Sequence, residues 1–140
     1  MPAIHKTKRV SFGSILFPIP VYACFFISKH FNNDLFFYLP VSLLTISDTL
    51  AEWGGNKWKD HTIAFFHHQK TLAGSLCFAI SSFLICVLLV FYFVNAPAPV
   101  LIAYCFLLAL ITTLAELVTM KGFDNLTIPA SASIILYLIL

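Results

Sequence analysis

Asp48 and Glu52 stand four residues apart in a run that is otherwise apolar, so on a helix both carboxylates project from one face. Glu116 closes a second apolar run, and Asp124-Asn125 opens a third. Lys70 stands at the head of the run that begins with Thr71. Carboxylate oxygens of this kind hold Mg2+, which keeps several waters and bridges phosphate oxygens. Lysines and helix N-termini then neutralise the phosphate charge that remains. A carboxylate inside an apolar span is costly, ~2.5–3.5 kcal/mol at mid-helix and less near the interface. Taken together, the acids and lysines point to chemistry on a metal-bridged polyphosphate. The competing reading is of interfacial side chains snorkelling to water, with the spacing of Asp48 and Glu52 a coincidence.

Other residues carry weaker signals. His67-His68 are adjacent and so do not share a ligand face. Lys70-Thr71 with Gly74-Ser75 lacks the G-x-x-x-x-G-K-[ST] order, which argues against a soluble nucleotide fold. The four cysteines form no C-x-x-C and have no histidine at zinc spacing, and they read as small buried hydrophobes. Gly54-Gly55 reads as a helix end, because glycine tolerates the left-handed conformation there. Trp53 and Trp58 bracket that point as interface anchors.

The elements that must position these residues are membrane helices. The chain has 140 residues, 60% apolar and 10% charged, against ~45–50% and ~25% in a soluble domain. That excludes an ordinary globular protein, and 16% aromatics excludes disorder. The expected fold is an all-α, polytopic integral membrane helix bundle forming a single domain over 1–140. About five spans of the required ~17–25 residues are expected. They cover approximately 10–28, 35–53, 71–94, 100–120 and 125–140, with one substantial loop over 54–70. Pro18 and Pro20 should kink or break the first span. Lys6, Lys8 and Arg9 ahead of that span imitate a signal peptide, but no small-residue cleavage site follows and the span is expected to be retained.

Seven of the eight Lys and Arg residues fall on one side of this topology and only Lys29 on the other. The positive-inside rule therefore puts the N-terminus and the long loop in the cytoplasm. Asp48, Glu52, Asp60, Glu116 and Asp124 share that side.

Ser47-Asp48-Thr49-Leu50-Ala51-Glu52-Trp53-Gly54-Gly55 resembles the D-x-x-A-x-x-x-G segment of the CTP-dependent polyprenol kinases, a family with phytol, farnesol and dolichol kinases among its members. Gln69-Lys70-Thr71-Leu72-Ala73-Gly74-Ser75 is similar to their K-[ST]-x-E-G-S segment, with Ala73 in place of the glutamate. Glu116 followed by Gly122-Phe123-Asp124-Asn125-Leu126-Thr127-Ile128-Pro129 resembles their E…G-x-D-N-[LI]-T-[VI]-P ending. Arg9-Val10-Ser11-Phe12-Gly13 looks like their R-x-[ST]-[YF]-G entry. The chain has Lys59-Asp60 where the family usually has G-K. Family members generally carry further spans ahead of the Arg9 element, so a shortened form, a homodimer or a partner subunit is the expectation.

The resemblance implies a membrane enzyme that moves the γ-phosphate of CTP to an isoprenoid alcohol or diacylglycerol, with Mg2+ as cofactor and a membrane lipid as substrate. It implies Asp48, Glu116, Asp124 and Lys70 as catalytic residues, with Asp48, Asp124 and Glu116 on the metal. Lys57, Lys59, Lys70, Thr71, Gly74 and Asn125 would bind the nucleotide, and Glu52 and Arg9 would flank the site. Phosphatidate cytidylyltransferases share the K-[ST]-x-E-G pattern and are the alternative, together with an inactive scaffold. A nucleic-acid partner is not expected.

Overall fold

The computed structural model describes residues 15–58, 62–65, 68–120 and 122–140. Arg9 and the rest of the R-x-[ST]-[YF]-G entry, Lys59, Asp60, His67 and Lys121 lie outside the described residues. Pro18 opens helix α1 (Pro18–Phe31), with an interruption at Phe17. A proline there loses nothing, because the first-turn amide has no partner to lose. The break expected in the first span therefore falls at these prolines. Asn32 ends α1 in the left-handed conformation, at φ 49°.

A single helix then runs over Leu35–Lys57 in three parts. These are α2 (Leu35–Ser42), a π-helical turn (Leu43–Ser47) and α3 (Asp48–Lys57). Its buried residues Leu35, Leu39, Leu43, Ser47 and Ala51 recur every four positions. Four residues overshoot the 3.6-residue turn by about 40° at each step, so a regular helix would carry the later ones off the bundle. The wider π turn rotates less per residue and brings Ser47 and Ala51 back to the same face. It follows Pro40, which has no amide to donate within α2. The Thr45 hydroxyl donates to the Val41 carbonyl across it at 2.9 Å.

The helix does not end at Gly54-Gly55 as the glycines suggested. It continues to Lys57, and these glycines serve close packing instead. A Cβ on Gly54 would lie 2.5 Å from Cys77 Sγ, and one on Gly74 would lie 2.8 Å from the Ala51 carbonyl. The Cys77 side chain of α4 (Leu72–Phe93) thus fills the space at Gly54, and at Gly74 the backbone of α3 itself comes too close for a side chain. α4 is central and packs against α2, α3 and α5 (Ala98–Val118). α6 (Asp124–Ile139) closes the bundle against α5, α2 and α1. The expected loop over 54–70 is partly ordered as an antiparallel ribbon of β1 (Thr62–Phe65) and β2 (His68–Thr71), in the register Thr62 to Thr71 and Ile63 to Lys70.

Three helices are long and apolar enough to cross a membrane: Leu35–Lys57, Leu72–Phe93 and Ala98–Val118. α1 and α6, at 14 and 16 residues, are shorter than the ~17 needed to cross unaided. Much of the outer surface of the described helices is apolar, with Ile80, Leu88 and Leu138 each more than half exposed. The interior holds Gly74, Ser75, Ser82, Ala109, Thr112, Ala132 and Ser133 beside Phe78, Leu108 and Ile128. Lipid is as apolar as leucine, so hiding leucine gains little and association rests on close packing of small residues. Some interior hydroxyls bond to their own helices, as Thr112 does to the Leu108 carbonyl at 2.8 Å.

Gly74→Ala is therefore expected to force α3 and α4 apart and to cost about 1–3 kcal/mol. Thermal unfolding in detergent should show a clear loss of stability in Gly74→Ala. Leu76→Ala, on the lipid face, should change stability by no more than about 0.5 kcal/mol.

Candidate functional site

Polar residues from four helices and one strand meet at the end of the bundle where α3 finishes and α4 begins. Asp48, Glu52 and Asn56 line one face of α3 at intervals of four, and Ala51 and Gly55 complete that wall. Asp48 follows the π turn directly, so the register that buries Ser47 and Ala51 also sets the face of the carboxylate. Thr71 is the N-cap of α4. Its backbone is extended, and its Oγ1 accepts the Gly74 amide at 3.2 Å. The β1–β2 ribbon delivers Lys70 one residue before this cap.

Glu116 lies in the last turn of α5, and Asp124 opens α6. Asp124 Oδ1 accepts the amides of Gly122 at 2.9 Å and Asn125 at 3.1 Å. Gly122 has φ 104°, a conformation that favours glycine and that closes this turn. The hydroxyls of Thr119 and Thr127 meet at 3.0 Å and tie the end of α5 to the start of α6.

These residues enclose a cleft of about 230 Å3. Within it, Lys70 Nζ lies 2.5 Å from Glu116 Oε1 and also donates to the Glu116 backbone carbonyl. The Glu116 side chain is only 8% exposed and that of Lys70 17%, so the pair is largely withdrawn from water. Glu116 Oε2 is buried and has no hydrogen-bond partner among the described residues. Among the described residues that line the cleft, Asp48, Glu52, Glu116 and Asp124 stand against one ammonium group, an excess of negative charge.

Asp48, Glu52, Lys70, Thr71, Gly74, Glu116 and Asp124 all line the cleft, as the sequence led one to expect. Asn125 is half-buried beside it and supplies the amide that holds Asp124. Lys57 is not brought in: its ammonium sits 4.7 Å from the Trp53 ring and 4.9 Å from the Trp58 ring, a cation–π arrangement on the outside of α3. Ala73 does not line the cleft but packs behind it near Gly54, so the four acids gather without a carboxylate at that position. Asn56 is the residue that sequence reasoning missed. It continues the i, i+4 series of Asp48 and Glu52, a signal hidden once the helix was ended at Gly54.

The donor set is of hard carboxylate oxygens, with one buried oxygen unpartnered, and this suits Mg2+. No group of three or more acidic, His or Cys donors is preassembled at metal-ligand spacing among the described residues. A Mg2+ carried on a nucleotide needs only one or two protein carboxylates, because phosphates and waters fill its other positions.

The fold and site define an all-α membrane helix bundle with an acidic, lysine-bearing cleft at one end. The chain is 24% identical over 137 residues to a phytol kinase from Synechocystis sp., a match that covers 96% of this chain and 58% of that protein. The likeness supports a polyprenol- and phytol-kinase-like family. The chain spans little more than half the length of that relative. No family model matches the chain. No solved structure matches it either.

Lys70→Met leaves Glu116 as a buried, uncompensated carboxylate and is expected to destabilise the protein by about 3–5 kcal/mol. Adding Glu116→Gln to Lys70→Met removes the stranded charge and should restore much of that loss. A double-mutant cycle on thermal unfolding in detergent measures both effects, and additive single losses would show that the pair is not coupled.

Proposed function

We propose that this chain is a membrane lipid kinase that transfers the γ-phosphoryl group of CTP to a lipid alcohol. The acceptor would be an isoprenoid alcohol such as phytol or dolichol, or diacylglycerol, and the reaction would run at the cytoplasmic interface. The observation that carries this reading is the convergence of Asp48, Glu116, Asp124 and Lys70 on one cleft at the end of an apolar bundle. A lipid alcohol reaches such a cleft laterally from the bilayer, and a nucleotide reaches it from water. The relative's name, phytol kinase, agrees with this chemistry.

Mg2+, when bound, would neutralise the triphosphate and orient its γ-phosphorus. Asp124 and Asp48 would hold it, with Glu116 as a further ligand or as the base toward the hydroxyl. Glu116 Oε2 suits either role, since Oε1 is engaged by Lys70 and Oε2 is not. Lys70 would exchange part of its contact with Glu116 for a phosphate oxygen. Thr71 and the first amides of α4 would face the same phosphates. Phosphoryl transfer asks little else of a protein than positioning and charge stabilisation. A cytidylyltransferase would have to seat an anionic phosphatidate headgroup. Among the described residues the cleft offers one lysine, already paired, against four acids, which favours a neutral alcohol.

The test is label transfer by purified protein in detergent with Mg2+ and CTP labelled separately on the γ-phosphate and the cytidine. The acceptors offered are phytol, a longer polyprenol, diacylglycerol and phosphatidate. The γ label is expected on an alcohol, and Asp48→Asn or Glu116→Gln should lower that turnover at least ~100-fold while the protein still folds. Cytidine label on phosphatidate would overturn the kinase reading in favour of the alternative. Full activity in both variants would show that the chemistry lies elsewhere.

A further inference from the structure

Asn56 is the one amide side chain among the described residues that line the cleft, and no expected role accounts for it. It is exposed at the rim of the cleft. Eight residues separate it from Asp48 on the same helix face, about 12 Å along the axis at 1.5 Å per residue. The cleft is therefore graded along α3. Asp48 lies at the end nearer the apolar interior, beside the π turn. Asn56 lies at the outer end, two residues before the described helix gives way at Trp58. The charged groups that could neutralise or bridge phosphates, Lys70, Glu116 and Asp124, belong to the other walls.

A ligand that spans this gradient needs a charged part toward the inner end and an uncharged polar part at the outer end. If the cleft joins a lipid hydroxyl from the bilayer side to a triphosphate, the outer end is left for the nucleoside. A carboxamide offers one acceptor and two donors, which suits the mixed donor and acceptor edges of a base or the hydroxyls of a ribose. It suits phosphate poorly beside four carboxylates, where a cation is required. We infer that Asn56 binds the nucleoside portion of the phosphoryl donor and that the nucleotide lies along α3 with its phosphates pointing toward Asp48. This rests on the kinase reading of the same cleft and adds to it a residue and a direction.

Equilibrium binding separates the nucleoside contact from the phosphate contacts. Purified protein in detergent with Mg2+ is titrated with CTP and, separately, with inorganic tripolyphosphate. Asn56→Ala is expected to weaken CTP about tenfold, the size of one good hydrogen bond, and to leave tripolyphosphate unchanged. Lys70→Gln should weaken both. In turnover, Asn56→Ala should raise the KM for CTP and leave the KM for the lipid alcohol alone. Equal losses for the two ligands, an unchanged CTP affinity, or a shift in the alcohol KM would each overturn the assignment. If Asn56→Ala weakens CTP selectively but the wild-type protein transfers no label, the nucleoside contact stands and the kinase reading fails.

Discussion

The ion pair between Lys70 and Glu116 joins the strand ahead of α4 to the last turn of α5, and the geometry of the cleft depends on it. A lone carboxylate with the exposure of Glu116 would be expensive at the end of an apolar helix. With Lys70 on one oxygen it is tolerable, and the second oxygen is buried with no hydrogen-bond partner among the described residues. Asp124 is held by the amides of Gly122 and Asn125 in its own turn. Asp48 and Glu52 are presented by the rigid face of α3. Among the described residues the site is thus a negative cleft with one internal counter-ion, and its carboxylate oxygens suit a divalent cation.

The bundle beneath is built so that this end can carry polar groups. Helices that cannot gain by hiding leucine from lipid associate through close backbone approach, and Gly54, Gly55 and Gly74 provide it where α3 meets α4. Gly55 and Gly74 also line the cleft, so the packing contact and the cleft wall are continuous. The π turn contributes at a second level. It reconciles a buried series spaced by four with a helix of 3.6 residues per turn, and Asp48 follows it immediately.

Most of the fold was legible because long apolar runs are unambiguous. The third, fourth and fifth spans lie within two residues of the observed α4, α5 and α6 at each end, bounded by Asn95-Ala96-Pro97 and by Gly122-Phe123-Asp124. The site acids were legible from their cost: Asp48, Glu116 and Asp124 stand out because charge in such runs is rare. The resemblance also named Ala51, Gly55, Lys70, Thr71, Gly74 and Ser75 as motif positions, and every one of them lines the cleft. The errors at Asn56 and Lys57 have one root. Glycine after a helical run signals a helix end and a close helix contact equally well, and local sequence does not tell them apart. Ending the helix at Gly54 hid Asn56, and it left Lys57 a loop residue free to reach phosphate when it is held between Trp53 and Trp58. The ribbon was missed because 62–71 carries β-branched and aromatic residues but no Gly, Pro, Asn or Asp to mark a turn.

The central claim is that these carboxylates form a single site for a metal-bridged nucleotide. An experimental structure with Mn2+ in place of Mg2+ and a non-hydrolysable CTP analogue tests it most directly, because anomalous scattering locates the metal. The account predicts a metal peak in the cleft, within coordinating distance of at least one of Asp48, Glu116 and Asp124 and of the analogue's phosphates. A metal and nucleotide bound elsewhere on the chain, with this cleft empty, would contradict it.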